Sequence, residues 1–260
     1  MGRLSTVLPS LQQLRQLQLK DSSSCEHEIT CDAVLSGLGA LTNLTHLVLP
    51  EVADGELLQH LPASLLQLEL IVDEDEGPVQ LGHLTALTKL NAGQYATLLG
   101  LGELRQLRSL SLKGVYWREP EADAADSHEL ASLLRVLAAM RQRGLPHLTH
   151  LSLEKQHVGR AAAASLSQMR GLRRLQLMDC QVEDCSAAEI ALGLKPLLKQ
   201  LDLSCNAQLT DAFLPTLAYA LPGLKESSLR DCAGISREGL RQYVLRAAGD
   251  DEDGSCSDSE

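Results

Sequence analysis

The sequence predicts an α/β solenoid of about nine repeats, each contributing one short strand. Three observations predict it. Leucine makes up roughly a fifth of the 260 residues, about twice ordinary usage. Aromatic residues are only 2%, so one branched-aliphatic packing solution is used again and again. The leucines also recur at the fixed spacing LxxLxL, in which the LxL pair is strand alternation with both side chains turned inward.

The repeats run in order. Leu14, Leu17 and Leu19 form the first set, followed by Leu44, Leu47, Leu49 and by Leu65, Leu68, Leu70. Leu107, Leu110, Leu112 and Leu148, Leu151, Leu153 continue the series. Leu172, Leu175, Leu177 and Leu198, Leu201, Leu203 come next. Two sets are imperfect: Leu87, Leu90, Ala92 and Leu224, Ser227, Leu229. The spacing is roughly 20–22 residues early and 24–26 late. One such unit cannot bury its leucine face alone, but stacked units share a continuous core.

Over residues 4–245 this pattern resembles the leucine-rich repeat family. The resemblance implies a horseshoe with a parallel concave sheet and helices or short turns on the convex side. It also gives a role to the position three residues after the second strand leucine. That position holds Cys180, Asn206 and Cys232 in the last units, and Tyr95 in an earlier one. In the family it is an asparagine/cysteine ladder that satisfies loop backbone. The last two units, with "LTDAFLPTLA" and "ISREGLRQY", are similar to the cysteine-containing repeats of F-box substrate adaptors.

Helix signals fill the later units. Arg160–Arg170 reads as a helix ended by Gly171. Ser186 with Glu189 reads as a capping box. Thr210 precedes a helix made irregular by Pro215, and Ser236 starts a last helix ending near Gly249. The early units leave room for little more than one turn, apart from Asp32–Leu38. Between Leu112 and Leu148 the period breaks. Residues 116–146 are expected to be an insertion whose helix shows Leu130, Leu133, Leu134, Leu137 and Met140 on one face, capped by Asp126 and Glu129 and ended by Gly144 and Pro146. The expected domains are therefore a solenoid over 1–249 and a disordered acidic tail over 250–260. Within that tail Ser255 and Ser257 each precede an acidic residue by three positions, a pattern suited to an acidophilic kinase. Met1–Ser10 read either as a minimal cap or as the start of a fragment.

Composition narrows the function. A net charge of −11 without a visible basic stripe argues against nucleic acid. Seven cysteines, an odd number, without a secretory signal read as reduced thiols in the cytoplasm, or in the nucleus. No apolar run reaches membrane length. "MGRLST" fits the short N-myristoylation pattern, but one acyl chain gives only marginal membrane binding. Cys25, His27 and Cys31 lack the second pair a zinc site needs. His147 and His150, three apart beside a strand, point to opposite faces. "GLGALT" and "GLGELR" read as repeat turns, and no GxSxG, P-loop or HExxH occurs. The sequence thus predicts no enzyme, no metal and no cofactor.

The residues between the strand leucines face outward and are mostly neutral-polar, which suits a protein partner. The expected contacts are Lys89, Asn91, Tyr95, Ser111, Lys113, Tyr116, Trp117, His150 and Arg174. The aromatics are expected anchors, with Trp117 packing under the inserted helix as the competing reading. The expected function is a monomeric, non-enzymatic protein-interaction scaffold. The alternative is the substrate-recognition part of an F-box-type ubiquitin ligase complex, with ligase components as partners.

Overall fold

Alternating leucines hold a backbone extended only where one face can be buried, and stacking supplies that face. The computed structural model describes residues 10–19, 37–52, 55–72, 79–93, 98–114, 137 and 145–248. In chain order the strands are β1 (Gln16–Gln18), β2 (His46–Val52), β3 (Gln67–Val72), β4 (Val79–Gln80), β5 (Lys89–Gly93), β6 (Leu98–Leu99), β7 (Ser109–Lys113), β8 (His150–Glu154), β9 (Arg174–Met178), β10 (Gln200–Asp202) and β11 (Glu226–Ser228). Nine of them pair in parallel, in sequence order, as one sheet: β1-β2-β3-β5-β7-β8-β9-β10-β11. The α/β leucine-rich-repeat solenoid expected from the sequence is the fold observed.

Register keeps step from repeat to repeat. Leu17, Leu47, Leu68, Leu90, Leu110, Leu151, Leu175 and Leu201 lie opposite one another across successive strands, and the row closes on Ser227. From Leu47 to Leu201 these side chains are 0–4% exposed, and each contributes about 1.5–3 kcal/mol by burial. A one-residue slip would turn a whole row to solvent, so the leucines fix the register. A single irregularity falls between Val48 and Glu51, where β2 shifts against β3.

The return segments differ by unit length. Late units have room for helices: α1 (Arg160–Ser167), α2 (Asp184–Gly193), α3 (Leu214–Ala220) and α4 (Arg237–Ala248). Shorter early units carry 3-10 turns, Gly55–His60 and Leu101–Glu103. The sequence reading missed a second, two-stranded parallel ribbon of β4 and β6. It lets short return segments satisfy one another's backbone. Gly100, with φ +80°, closes that ribbon; a Cβ there would lie 2.5 Å from the Gly82 nitrogen.

Two helix boundaries correct the sequence reading. Ser186 does not cap a helix: α2 begins at Asp184 with Glu183 as its N-cap, and Ser186 is buried inside the first turn. Val182 is fully buried just ahead of it, so the helix starts at once. The helix from Arg160 ends at Ser167 rather than Arg170, because a turn over Gln168–Gly171 brings Leu172 into the core. Thr210 and Ser236 do cap, accepting from the Ala212 and Gly239 amides. Pro215 sits where a 3-10 turn, Asp211–Phe213, becomes α3.

Of the predicted insertion, Leu137 is helical and fully buried in the common core. The rest of that helix, Met1–Pro9, most of Asp32–Leu38 and the acidic tail lie outside the described residues.

Candidate functional site

Outward-facing strand positions form two straight rows. The first is Gln16, His46, Gln67, Lys89, Ser109, His150, Arg174, Gln200, Glu226. The second is Gln18, Val48, Glu69, Asn91, Ser111, Ser152, Gln176, Asp202, Ser228. From β5 to β11 they line an open groove of about 520 Å³. Of the expected contacts, Lys89, Asn91, Ser111, His150 and Arg174 are brought together there. Lys113 lies at the end of β7, outside the groove lining, where its ammonium pairs with Glu154 of β8 at 2.9 Å. Tyr95, Tyr116 and Trp117 lie outside the described residues.

Charge is graded along the groove. Lys89 on β5 and Arg174 on β9 supply positive charge over one part of it, and Asp202 on β10 and Glu226 on β11 negative charge towards the other end. The anionic end is internally bonded. Gln200 donates to Glu226 at 2.5 Å, and the Ser204 hydroxyl donates to Asp202 at 2.5 Å. His150 sits at the cationic end. Burial first, and then the Arg174 guanidinium, hold its imidazole below the usual histidine pKa. The Thr149 hydroxyl donates to the Arg108 carbonyl, so its oxygen accepts from His150 Nδ1 at 2.7 Å. At neutral pH His150 is thus an uncharged ring beside the exposed Arg174 guanidinium.

Behind β8–β11 lies the ladder the sequence placed there. Asn206 is fully buried. Its carbonyl oxygen accepts from the Cys180 and Val182 amides, both at 3.0 Å. Its amide donates to the carbonyls of Leu177 and Leu203 at 2.7 Å and of Ser204 at 3.3 Å. Cys180 and Cys232 use their thiols in the same place, donating to Leu153 and Leu203 at 3.3 and 3.2 Å. Burial pushes the Cys180 thiol up to about 12, so these cysteines are structural donors and not nucleophiles. One residue before each rung, Lys155, Asp179, Cys205 and Asp231 adopt positive φ, 54–62°. Aspartate tolerates this left-handed region, as at Asp179 and Asp231; Lys155 and Cys205 are not residue types that announce such a turn.

A second surface feature went unseen in the sequence. The residues just ahead of the strands stack in a column, because each carbonyl accepts two amides of the next repeat: Arg108 from Thr149 and His150, Thr149 from Arg173 and Arg174, Arg173 from Lys199 and Gln200, Lys199 from Lys225 and Glu226. Folding gathers these cations on one edge although the chain is acidic overall. Cations 26–65 residues apart, at Arg108, Arg173, Lys199 and Lys225, do not look like a stripe in the sequence.

Among the described residues no group of three or more His, Cys, Asp or Glu side chains could hold a metal, and no helix is long and apolar enough to cross a membrane. Cys25, His27 and Cys31 lie outside them. A smaller depression of about 150 Å³ between α3 and α4 includes Asp211 and Tyr243, and is remote from the groove.

No protein-family model and no curated protein matches the sequence. Solved structures do match the fold. A chain of a TLR13–ssRNA13 complex is 21% identical with a TM-score of 0.55, over 86% of this chain and 30% of that one. The leucine-rich repeat-containing protein LegL7 from Legionella pneumophila is 14% identical with a TM-score of 0.42, over 92% and 91%. A chain of the yeast Rad7–Elc1 complex is 16% identical with a TM-score of 0.42, over 95% and 80%. This chain therefore spans under a third of the TLR13 chain's length, and what the likeness establishes is the leucine-rich-repeat solenoid fold.

Proposed function

We propose that the chain is a non-enzymatic protein-interaction scaffold that takes a protein partner along the concave groove. The observation that supports this most is the groove itself. It is open, follows six strands in unbroken register, and offers mixed polar groups graded from cationic to anionic. Such a face matches the extended, charge-patterned surface of another protein. An enzyme site would instead need an enclosed pocket with activated groups. His150 and Arg174 are the proposed central contacts, with Lys89, Asn91 and Ser111 beside them. Lys113, at the end of β7, and Tyr95, Tyr116 and Trp117 are further proposed contacts.

Affinity purification with wild type and with Arg174→Ala/His150→Ala, both checked for unchanged thermal unfolding, tests the reading. A partner recovered by wild type and lost by the folded double variant is the expected result. A partner set identical for both would refute groove binding. A second reading, substrate recognition for an F-box-type ligase, draws on the ladder of Cys180, Asn206 and Cys232 and on the Thr210–Asp211 turn in the last units. In the same experiment it requires a cullin adaptor among the wild-type partners.

A further inference from the structure

We propose that the cationic edge of the sheet, at the turns leading into the late strands, is the docking surface for the chain's own acidic segment, residues 249–260. Arg105, Arg108, Arg170, Arg173, Lys199 and Lys225 all lie in these turns, and all but the half-buried Lys199 are exposed. The turns, 104–108, 145–149, 169–173, 195–199 and 221–225, contain no Asp or Glu. Among the described residues the ion pairs Lys113–Glu154 and Arg241–Glu238 involve none of these six cations. The opposite edge, where the strands end, carries Glu154, Asp179, Glu183, Asp184, Asp211 and Asp231 against Lys113, Lys155 and Arg230, so it attracts an anionic segment less than the lead-in edge does.

Topology delivers such a segment to the right edge. Each late helix starts near its strand's end and runs back towards the lead-in turns. From the end of α3 at Ala220, only Leu221–Lys225 are needed to reach β11. α4 runs the same way and ends at Ala248, one repeat further on. Residues 249–260 follow directly, with Asp250, Asp251, Glu252, Asp253, Asp258 and Glu260 and no basic residue. Twelve residues reach up to about 40 Å. The column from Lys225 to Arg108 spans four strand spacings, about 20 Å. Tethering places the carboxylates beside the column at about millimolar effective concentration. A free polyanion, including nucleic acid, must then compete with the tail.

Zero-length carbodiimide cross-linking of the full chain, read by mass spectrometry, tests this. The expected result is linkage of Lys199 and Lys225 to carboxylates within 250–260 inside one molecule, lost in 0.5 M salt by screening. A full-length chain with all six tail carboxylates neutralised (Asp→Asn, Glu→Gln) should bind a single-stranded DNA 12-mer about tenfold more tightly than wild type. The triple variant Arg173→Gln/Lys199→Gln/Lys225→Gln should remove that gain. Linkage found only in dimers would assign the edge to a second copy and overturn the proposal. Equal DNA affinity of wild type and the neutralised tail would also overturn it, since the edge would then stand uncovered.

Discussion

Asn206 shows why one ladder position carries different side chains in different repeats. Its amide both accepts and donates, so it closes the turn after β9 and the turn after β10 together. A cysteine can only donate, and Cys180 and Cys232 each do so to the preceding strand. Asn206→Ala removes the partner of two buried amides, Cys180 and Val182, and of the Leu177 carbonyl, and is expected to cost about 3–5 kcal/mol in urea unfolding. Asn206→Cys keeps a donor, loses the acceptor, and should fall between. Thiol alkylation separates the cysteines by burial. Cys185, exposed, should label at pH 8 in the native state, whereas Cys180, raised to about 12, should label only on unfolding. Equal labelling of both in the folded protein would contradict a closed ladder. The ladder was legible because the period fixes its position. The left-handed residue ahead of each rung was only half legible: aspartate tolerates that region at Asp179 and Asp231, whereas Lys155 and Cys205 give no such signal.

Helices in this chain are capped across repeats as well as within them. Asp184 takes the Thr210 amide at 2.8 Å and its hydroxyl at 2.5 Å; one repeat on, Asp211 takes the Ser236 amide at 2.8 Å and its hydroxyl at 2.6 Å. The carboxylate that opens one return segment thus fixes the cap of the next. The caps were readable as Thr and Ser ahead of apolar periodicity. Their partners were not, because they lie 25–26 residues away and only the stack brings them together. The same limit explains Ser186, whose spacing to Glu189 mimics a capping box inside an established helix. The bonds from Ser236 hold the Asp211 carboxyl below its ordinary pKa. A lowered folded pKa means the contribution is complete above the unfolded value, near 4, and is lost as pH falls through the folded one. Asp211→Asn should therefore melt below wild type at pH 7, with the gap closing below about pH 4. A gap unchanged at pH 2.5 would mean that charge plays no part in the cap.

At the scale of the molecule, a parallel sheet built one repeat at a time makes stability local and the groove collective. The leucine rows were legible along the whole chain, and with them the outward rows that line the groove. The gathering of cations on one edge was not, because it depends on stacking residues distant in sequence. In a quasi-one-dimensional stack each repeat leans only on its neighbours, so the position of a defect decides its reach. Leu151 is 1% exposed and lies between Leu110 and Leu175 in the middle of the sheet. Leu151→Ala removes contacts with both sides and is expected to cost about 2–5 kcal/mol, lowering the urea midpoint of the whole solenoid. Leu229 is only partly buried and follows the final strand, β11. Leu229→Ala loosens one neighbour only. It should leave the main midpoint nearly unmoved while amide exchange quickens in α4, the helix of that repeat. Equal midpoint shifts for the two variants would show that the nine strands unfold as one indivisible unit. Unequal shifts would mean the His150–Arg174 end of the groove persists after the last repeat has opened, so partner binding should survive Leu229→Ala and fail in Leu151→Ala.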